Sequence, residues 1–433
     1  MARVGSPHRM ASPSSVRSVL RLLRRNPDYR RLFCATVVSL LGDWFAFVAI
    51  SGFVTEATGR PGSAAAVFAA SVLPAFLLSP LAGLVADRVD RKRLMVSVDL
   101  LRVLPALGLL AALRWHSPAL AIACVGLLAA LSSFFDPVAE ASVPNVVAPE
   151  ELSLAQAALG SVWGTMLFIG AALGGLATLA FGREASLVLN TATFLVSALL
   201  VRGIRRPLQH HGAPASHGMW AQFGEVWTLA RQSRITRSLL VTKVGVGLGN
   251  GIVGLLPAFA ATRFNSGDAG VGVLLAARGL GALLGPFLGQ RWARDDGRRL
   301  LIVCGASMLT YGLAYLLLPF APSLPLAAVC VLLAHLGGGA QWVISTYGLQ
   351  VSTPDGMRGR VLALDFGLAT LAVGVSSLAA GAAAEGVGLA QASWGLAGLS
   401  LAYGVWWLWW TRDLWRGSAN VLTGVPPPPR QLE

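Results

Sequence analysis

A short charged block occurs twice in this 433-residue chain, each time between two long apolar runs. Gly83-Leu-Val-Ala-Asp-Arg-Val-Asp-Arg-Lys-Arg-Leu94 returns as Gly289-Gln-Arg-Trp-Ala-Arg-Asp-Asp-Gly-Arg-Arg-Leu300, an offset of 206 residues. In register, Gly83 meets Gly289, Arg88 meets Arg294, Asp90 meets Asp296, and Lys92-Arg93-Leu94 meets Arg298-Arg299-Leu300. Pro80 and Pro286 share the offset, and Gly42-Asp43 falls within one residue of Gly249-Asn250. Such a match across separate hydrophobic runs implies a duplicated membrane unit, the parallel repeat expected of a secondary transporter.

Composition sets the environment of that unit. Hydrophobic residues make up 55% of the chain, charged residues 12%, and mean hydropathy is +0.65. Most backbone must then sit where water cannot satisfy it, and helices are the structure that satisfies it internally. The runs lack the period-two alternation of barrel strands and are rich in small residues, as close-packed spanning helices are. Division at charges and turn residues gives twelve runs near the roughly 20 residues that cross a bilayer. They lie at 33–54, 63–86, 94–113, 118–135, 154–181, 184–202, 239–262, 268–290, 300–319, 325–345, 361–384 and 388–411. The expected fold is all-α, with twelve transmembrane helices in two pseudo-symmetric six-helix bundles, 33–202 and 239–411. Flanking them are a cytoplasmic tail at 1–32, a central loop at 203–238 and a second tail at 412–433.

A net charge of +14 would fit a nucleic-acid partner, but its distribution argues against one. With the N-terminus in the cytoplasm, all but seven of the 34 lysines and arginines fall on inner segments. Arg60, Arg114, Arg183 and Arg263 lie outside, and Arg102, Lys243 and Arg278 lie within spans. This positive-inside bias orients a multi-pass protein of the inner (plasma) membrane with both termini cytoplasmic. Trp406, Trp407, Trp409, Trp410 and Trp415 beside Arg412 and Arg416 read as an interfacial belt at the end of the last span. No removable signal segment is expected. Cys34, Cys124, Cys304 and Cys330 lack metal or disulfide spacing and read as small core residues. In the central loop, Trp220, Phe223, Trp227 and Ala230 share a helical face with Arg231 and Arg234 nearby, which predicts a helix along the inner surface. His210, His211 and His217 have no Cys or carboxylate cluster with them, so no metal or other cofactor is expected.

On these residues a family resemblance rests. The block Gly83-x-x-x-Asp87-Arg88-x-x-Arg91-Lys92 resembles the loop signature of the major facilitator superfamily, with a degraded copy at Gly289, Arg294 and Arg298. Asn26-Pro-Asp-Tyr-Arg-Arg-Leu-Phe33, Gly42-Asp43-Trp44, the Pro144 loop and Gly359-Arg360-Val361 resemble its macrolide and siderophore (enterobactin) exporter branch. The resemblance implies that Asp87 helps hold the two halves closed on the cytoplasmic side. Ala293 stands in the second copy where Asp87 stands in the first, so that copy cannot make the same ionic contact. In the fifth span, Met166-x-x-x-Gly170-Ala171-x-x-Gly174-Gly175 keeps only part of the GxxxGPxxGG pattern of exporters. Asp136, Glu140, Glu150 and Glu151 make the loop after the fourth run acidic, and Arg358 and Arg360 make its counterpart basic. The two are read as either a closing contact between halves or two solvated linkers.

Charges at bilayer depth cost about 2.5–3.5 kcal/mol each on insertion scales, so each needs a partner or a task. Asp43 lies near mid-depth, and its repeat mate is the uncharged Asn250. A desolvated carboxyl suits a carrier of the coupling proton, against the alternative of a buried Asp held by an Arg or helix end. Asp99 and Arg102 sit three apart on one helical face, within pairing or substrate-contacting distance. Arg278 has no acid within a turn and could bind an anionic substrate group, face Asp43, or pair with carbonyls. His335 could titrate or hydrogen-bond in the core. Lys243 and Asp365 are explained by snorkelling or gate contacts. No GxxxxGK[ST] loop cradles a nucleotide, which leaves an ion gradient or downhill flux as the energy source. The resemblance implies a monomer that carries out proton-coupled export of an amphipathic small molecule by alternating access, with protons and membrane lipid as its other partners. The rivals are a lipid or lysophospholipid flippase on the same fold, a membrane-embedded enzyme, or a non-transporting sensor. The absence of HxxxxD, HExxH and GxSxG constellations disfavours the enzyme.

Overall fold

The computed structural model describes residues 16–209, 219–293 and 296–416. A surface helix α1 (Val16–Arg25) leads into α2 (Pro27–Thr58), α3 (Pro61–Arg88), α4 (Arg91–Arg114), α5 (Pro118–Val146) and α6 (Leu152–Arg202). The central segment carries α7 (Met219–Gln232). The second half then runs through α8 (Arg234–Leu240), α9 (Thr242–Gly249), α10 (Gly251–Ala258), a π-helical turn at Phe259–Arg263, α11 (Gly267–Ala293) and α12 (Gly297–Leu317). It ends with α13 (Leu324–Ser352), α14 (Asp355–Val387), α15 (Leu389–Trp410) and α16 (Arg412–Arg416).

Ten segments among the described residues are long and apolar enough to cross a membrane on hydropathy. Two further crossings come from the chain's own geometry. Gly182, at φ +82°, turns the single long α6 back on itself, a backbone conformation that strains any residue with a Cβ. Tryptophan and tyrosine lower the hydropathy of α15 without shortening it. Twelve crossings result, all helical, in two bundles of six. The helices outrun the apolar runs that nucleate them: α2 has 32 residues, roughly 48 Å at 1.5 Å per residue, against a hydrocarbon core of about 30 Å. One consequence corrects the sequence reading. Asp136 and Glu140 are not in a loop but on α5, which continues through Pro137 and Pro144 to Val146.

The repeat has a structural counterpart at the turns. Asp90 caps α4 by accepting the Arg93 amide at 2.8 Å, and Asp296 caps α12 by accepting the Arg298 amide at 2.9 Å. The Asn26-Pro-Asp-Tyr motif stitches the first half together at the same face. Asn26 caps α2 and donates to the Val146 carbonyl at 2.7 Å, Asp28 accepts the Arg205 and Arg206 amides, and the Tyr29 hydroxyl donates to Ala155 O at 2.8 Å. Two further expectations change. Trp407 is fully buried and donates to Ser238 O at 3.1 Å, so it belongs to the core and not to an interfacial belt. In α7 the buried side chains are Val226 and Ala230, while Trp227 is 59% exposed under the Arg231 guanidinium. The Trp220 and Phe223 side chains and the three loop histidines lie outside what the structure describes.

The halves meet along two helix pairs, α3 with α14 and α6 with α11. Both pairs are tight at the face bearing the α6 bend, and α6 parts from α11 toward the opposite face, which carries α1, α7 and the arginine-rich turns and is called the basic face below. At the tight end, a Cβ on Gly175 would lie 2.9 Å from the Gly272 Cα, and one on Gly381 would lie 3.0 Å from the Gly62 Cα. Nearer the basic face, Gly164 reaches only a Leu283 methyl at 4.0 Å and Gly160 meets nothing. Along α6 and α11 the halves thus diverge as a wedge from one membrane face toward the other.

Candidate functional site

The opening of that wedge is walled by the first half on one side and the second on the other. In the first half, Arg102 of α4 is packed between the Phe135 and Phe194 rings, 5.1 and 5.3 Å from their centroids. Its Nη1 lies 3.3 Å from Asp99 Oδ1 and donates to Ser39 Oγ at 2.9 Å. Asp99 and Arg102 are 0% and 1% exposed, so in this conformation the pair sits inside the bundle and not on the cavity surface. The second Asp99 oxygen and both polar atoms of Asn190 are buried without a partner.

Asp43 of α2 sits beside this core and is half-buried. Arg102 attracts it electrostatically, and Asp136 and Asp99 repel it. Asp136 and Glu140, one helical turn apart on α5, are exposed and form no ion pair among the described residues. Among the described residues Arg102 is therefore the single cation acting on three carboxylates, Asp43, Asp99 and Asp136. Sequence reasoning singled out two of the three. The prolines at 137 and 144 look like loop punctuation, and prolines are tolerated in spanning helices because neighbours re-satisfy the freed backbone groups.

In the second half, Lys243 and Asp365 do not snorkel. They form an ion pair with each other, with side chains 2% and 3% exposed. The Lys243 ammonium also donates to Thr346 Oγ1 at 2.7 Å and stands 5.0 Å from the Trp342 ring centroid. The desolvation of two charges explains why they seek one another across α9 and α14 instead of reaching for water. Arg278 of α11 makes no ion pair with Asp43. Its guanidinium lies 5.5 Å from the centroid of Phe68, which comes from the first half. His335 accepts or donates one hydrogen bond, with the Tyr315 hydroxyl at 2.9 Å, inside a cluster with Tyr311.

Of the duplicated turns, the described cations serve the scaffold of their own half. Arg91 donates to the Ala141 carbonyl at 2.7 Å and Lys92 to the Ile204 carbonyl at 2.7 Å, while Arg88 is exposed. Gly83 lies in α3, and Gly289 in α11 packs against Ala340. The Asp87 side chain and Arg294 lie outside the described residues, and Arg298 is half-buried. At the closed face, sequence reasoning missed an ion network. Arg183 bridges Glu56 at 2.7 Å and Asp268 at 2.8 Å, and Arg60 reaches Glu385 at 2.5 Å. Asp268 and Glu385 belong to the second half and the other three residues to the first, so these contacts lock the halves where they already touch. At the basic face, Arg360 pairs with Glu225 of α7 and not with the acidic stretch of α5.

Comparison with known proteins agrees with this architecture. The profile of the transmembrane secretion effector family, a family of the major facilitator superfamily, matches residues 22–412. The chain is 27% identical over 362 residues to the multidrug efflux pump Tap of Mycolicibacterium fortuitum, covering 81% of this chain and 87% of that one. It is 21% identical over 344 residues to the putative bacilysin exporter BacE of Bacillus subtilis, covering 78% and 84%. Among solved structures, a bacterial homolog of the human lysosomal transporter Spinster, inward-facing and unoccupied, superposes with TM-score 0.69 at 15% identity, covering 89% and 97% of the two chains. The nucleoside transporter NupG gives 0.64 at 13%, covering 88% and 98%.

Proposed function

Because the chain belongs to the transmembrane secretion effector family of the major facilitator superfamily, we propose that this multi-pass membrane transporter exports an amphipathic small molecule by proton antiport. The observation that carries the reading is that three carboxylates, Asp43, Asp99 and Asp136, share the one guanidinium of Arg102 in a protein whose halves touch at one membrane face and part along α6 and α11 toward the basic face. Positive-inside bias makes the basic face cytoplasmic, with both termini there, so the open cavity receives its cargo from the cytoplasm. The relatives' names, a multidrug efflux pump and a putative exporter, support the same direction.

The proton chemistry follows from charge balance. One guanidinium neutralises one carboxylate, so three carboxylates within its range leave a surplus of negative charge that a proton relieves. Asp43 is the member at the cavity surface nearest the Asp99–Arg102 core, and we assign it the exchanged proton. Asp136 and Glu140 relay protons between Asp43 and the cytoplasm. With the cytoplasmic face open, Asp43 releases its proton to the cytoplasm as cargo enters; closure of that face then turns Asp43 to the other side, where it takes up a proton as the cargo leaves. The turn motif of Gly83, Asp87, Arg88, Arg91 and Lys92, with Gly289, Arg294 and Arg298, then forms the cytoplasmic gate between bundles 33–202 and 239–411. Arg278 and His335 belong to the cargo path on the second half, with Asp99 and Arg102 behind the wall of the first. One chain holds a complete cavity, in keeping with a monomer surrounded by lipid.

The test is flux in proteoliposomes. Under an imposed pH gradient, the wild type is expected to move ethidium against its gradient, while Asp43→Asn loses gradient-driven flux and keeps downhill exchange. Undiminished proton dependence in Asp43→Asn would remove Asp43 from the mechanism, and the absence of any solute flux in the wild type would remove export.

A further inference from the structure

Three cations are buried among the described residues: Arg102, Lys243 and Arg278. The first two each have an aspartate, at Asp99 and Asp365. Arg278 has none. It is 9% exposed, its Nε has no hydrogen-bond partner, and no carboxylate comes within ion-pairing distance of it among the described residues. A guanidinium cannot discharge itself by losing a proton, so a buried Arg without a counter-ion remains a charge awaiting one.

The surroundings are built for an acceptor-bearing guest. The Tyr311 hydroxyl is buried, with no polar neighbour but the Tyr315 hydroxyl beside it. Tyr311 packs against Tyr315 and His335 with ring centroids 4.9 and 5.3 Å away, and Tyr311, Tyr315 and His335 all lie within electrostatic range of Arg278. The Tyr315–His335 hydrogen bond fixes that layer at 2.9 Å. These groups come from three crossings of the second half, α11, α12 and α13, while the Phe68 ring covers the guanidinium from the first. The repeat sharpens the point: where the first half carries the acid Asp43, the second carries the neutral Asn250, and its buried Arg278 has no carboxylate partner among the described residues.

We propose that the Arg278 pocket binds a carboxylate on the transported molecule, with Phe68 as the lid that the opposing half slides off as the halves rock. A planar carboxylate accepts two parallel bonds from a guanidinium and one more from the Tyr311 hydroxyl. One unpaired cation matches a monoanion, whereas a phosphate dianion would be left half-neutralised. This deepens the transport reading and rests on the cavity being the cargo path.

Equilibrium binding to the purified full-length protein in nanodiscs separates the two ideas, with dansylglycine, its methyl ester and dansyl-ethylenediamine as probes read by dansyl fluorescence. The wild type is expected to bind dansylglycine at least tenfold tighter than the ester. Arg278→Gln abolishes that preference and leaves the ester and the amine unchanged, Arg278→Lys keeps part of it, and Tyr311→Phe weakens acid binding several-fold. An equal affinity of the wild type for acid and ester overturns the proposal. So does a monodisperse Arg278→Gln or Tyr311→Phe variant that retains the preference or loses all three probes alike. Proton-driven flux of dansylglycine, measured on the same purified protein reconstituted in sealed proteoliposomes, reports on export separately: acid preference without flux would retain the pocket and discard the transport reading.

Discussion

Lys243 and Asp365 place two full charges in the interior with only Thr346 and the Trp342 ring beside them, and one Asp365 oxygen has no partner. Removing one member leaves the other buried and uncompensated, which costs about 3–5 kcal/mol, whereas replacing both by apolar residues of similar volume is often neutral. Lys243→Met and Asp365→Leu are each expected to lower the thermal unfolding midpoint of the detergent-purified protein markedly, and the double variant to recover most of the loss. Two additive losses would mean that the pair is not the relevant interaction. Asp43→Asn, which removes no ion pair, is expected to leave the midpoint within about a degree or two. Sequence alone gives these residues unequal visibility. Asp99 and Arg102 announce their pairing because three residues on one helix make them neighbours, while Lys243 and Asp365 are 122 residues apart and only packing brings them together. Asp136 was hidden for another reason, since a proline after it resembles the end of a span.

At the scale of elements, the α6 bend does more than reverse the chain. Gly182 sets Arg183 at the start of the sixth crossing, where its guanidinium reaches Glu56 on α2 and Asp268 on α11 together. Partly exposed ion pairs contribute up to about 1 kcal/mol, so a network of this kind biases an equilibrium by roughly fivefold and does not weld it shut. Arg183→Gln is therefore expected to open the closed face more often without unfolding the protein. A reporter is available in Ala65, fully buried at the α3 junction with the second half, whose carbonyl accepts the Ser377 hydroxyl at 2.9 Å. In a background without the four native cysteines, Ala65→Cys is expected to react with a membrane-impermeant maleimide about fivefold faster once Arg183 is replaced; an unchanged rate would deny the network a gating role. The elements themselves were legible because the apolar runs, the prolines at helix starts and the repeated Asp caps each act locally. The network was not, because Arg183, Glu56 and Asp268 read singly as ordinary loop charges.

For the whole molecule, the duplicated turn block already implied two bundles, but neither the tilt between them nor the face at which they close is written in any one residue. Those follow from where small residues let backbones touch. At Gly175 and Gly272 the two halves have no room for a side chain: a Cβ on Gly272 would lie 2.7 Å from the Gly175 Cα, and one on Gly175 would lie 2.9 Å from the Gly272 Cα. Backbone at such a contact cannot give way as a flexible side chain can, and close-packed interiors transmit the displacement instead of absorbing it. Gly272→Leu should then act as a wedge, prising the halves apart at the closed face. If the bundles rock as rigid bodies, relief comes only by rotating toward the state that is open there and shut at the basic face. The variant is expected to leave Ala65→Cys rapidly labelled at the α6-bend face, to protect a cysteine introduced at the exposed Gly160 near the basic-face end of α6, and to abolish net ethidium export. Simultaneous labelling of both positions would mean that the halves separate without rocking, and wild-type export would mean that closure at this face is not part of the cycle.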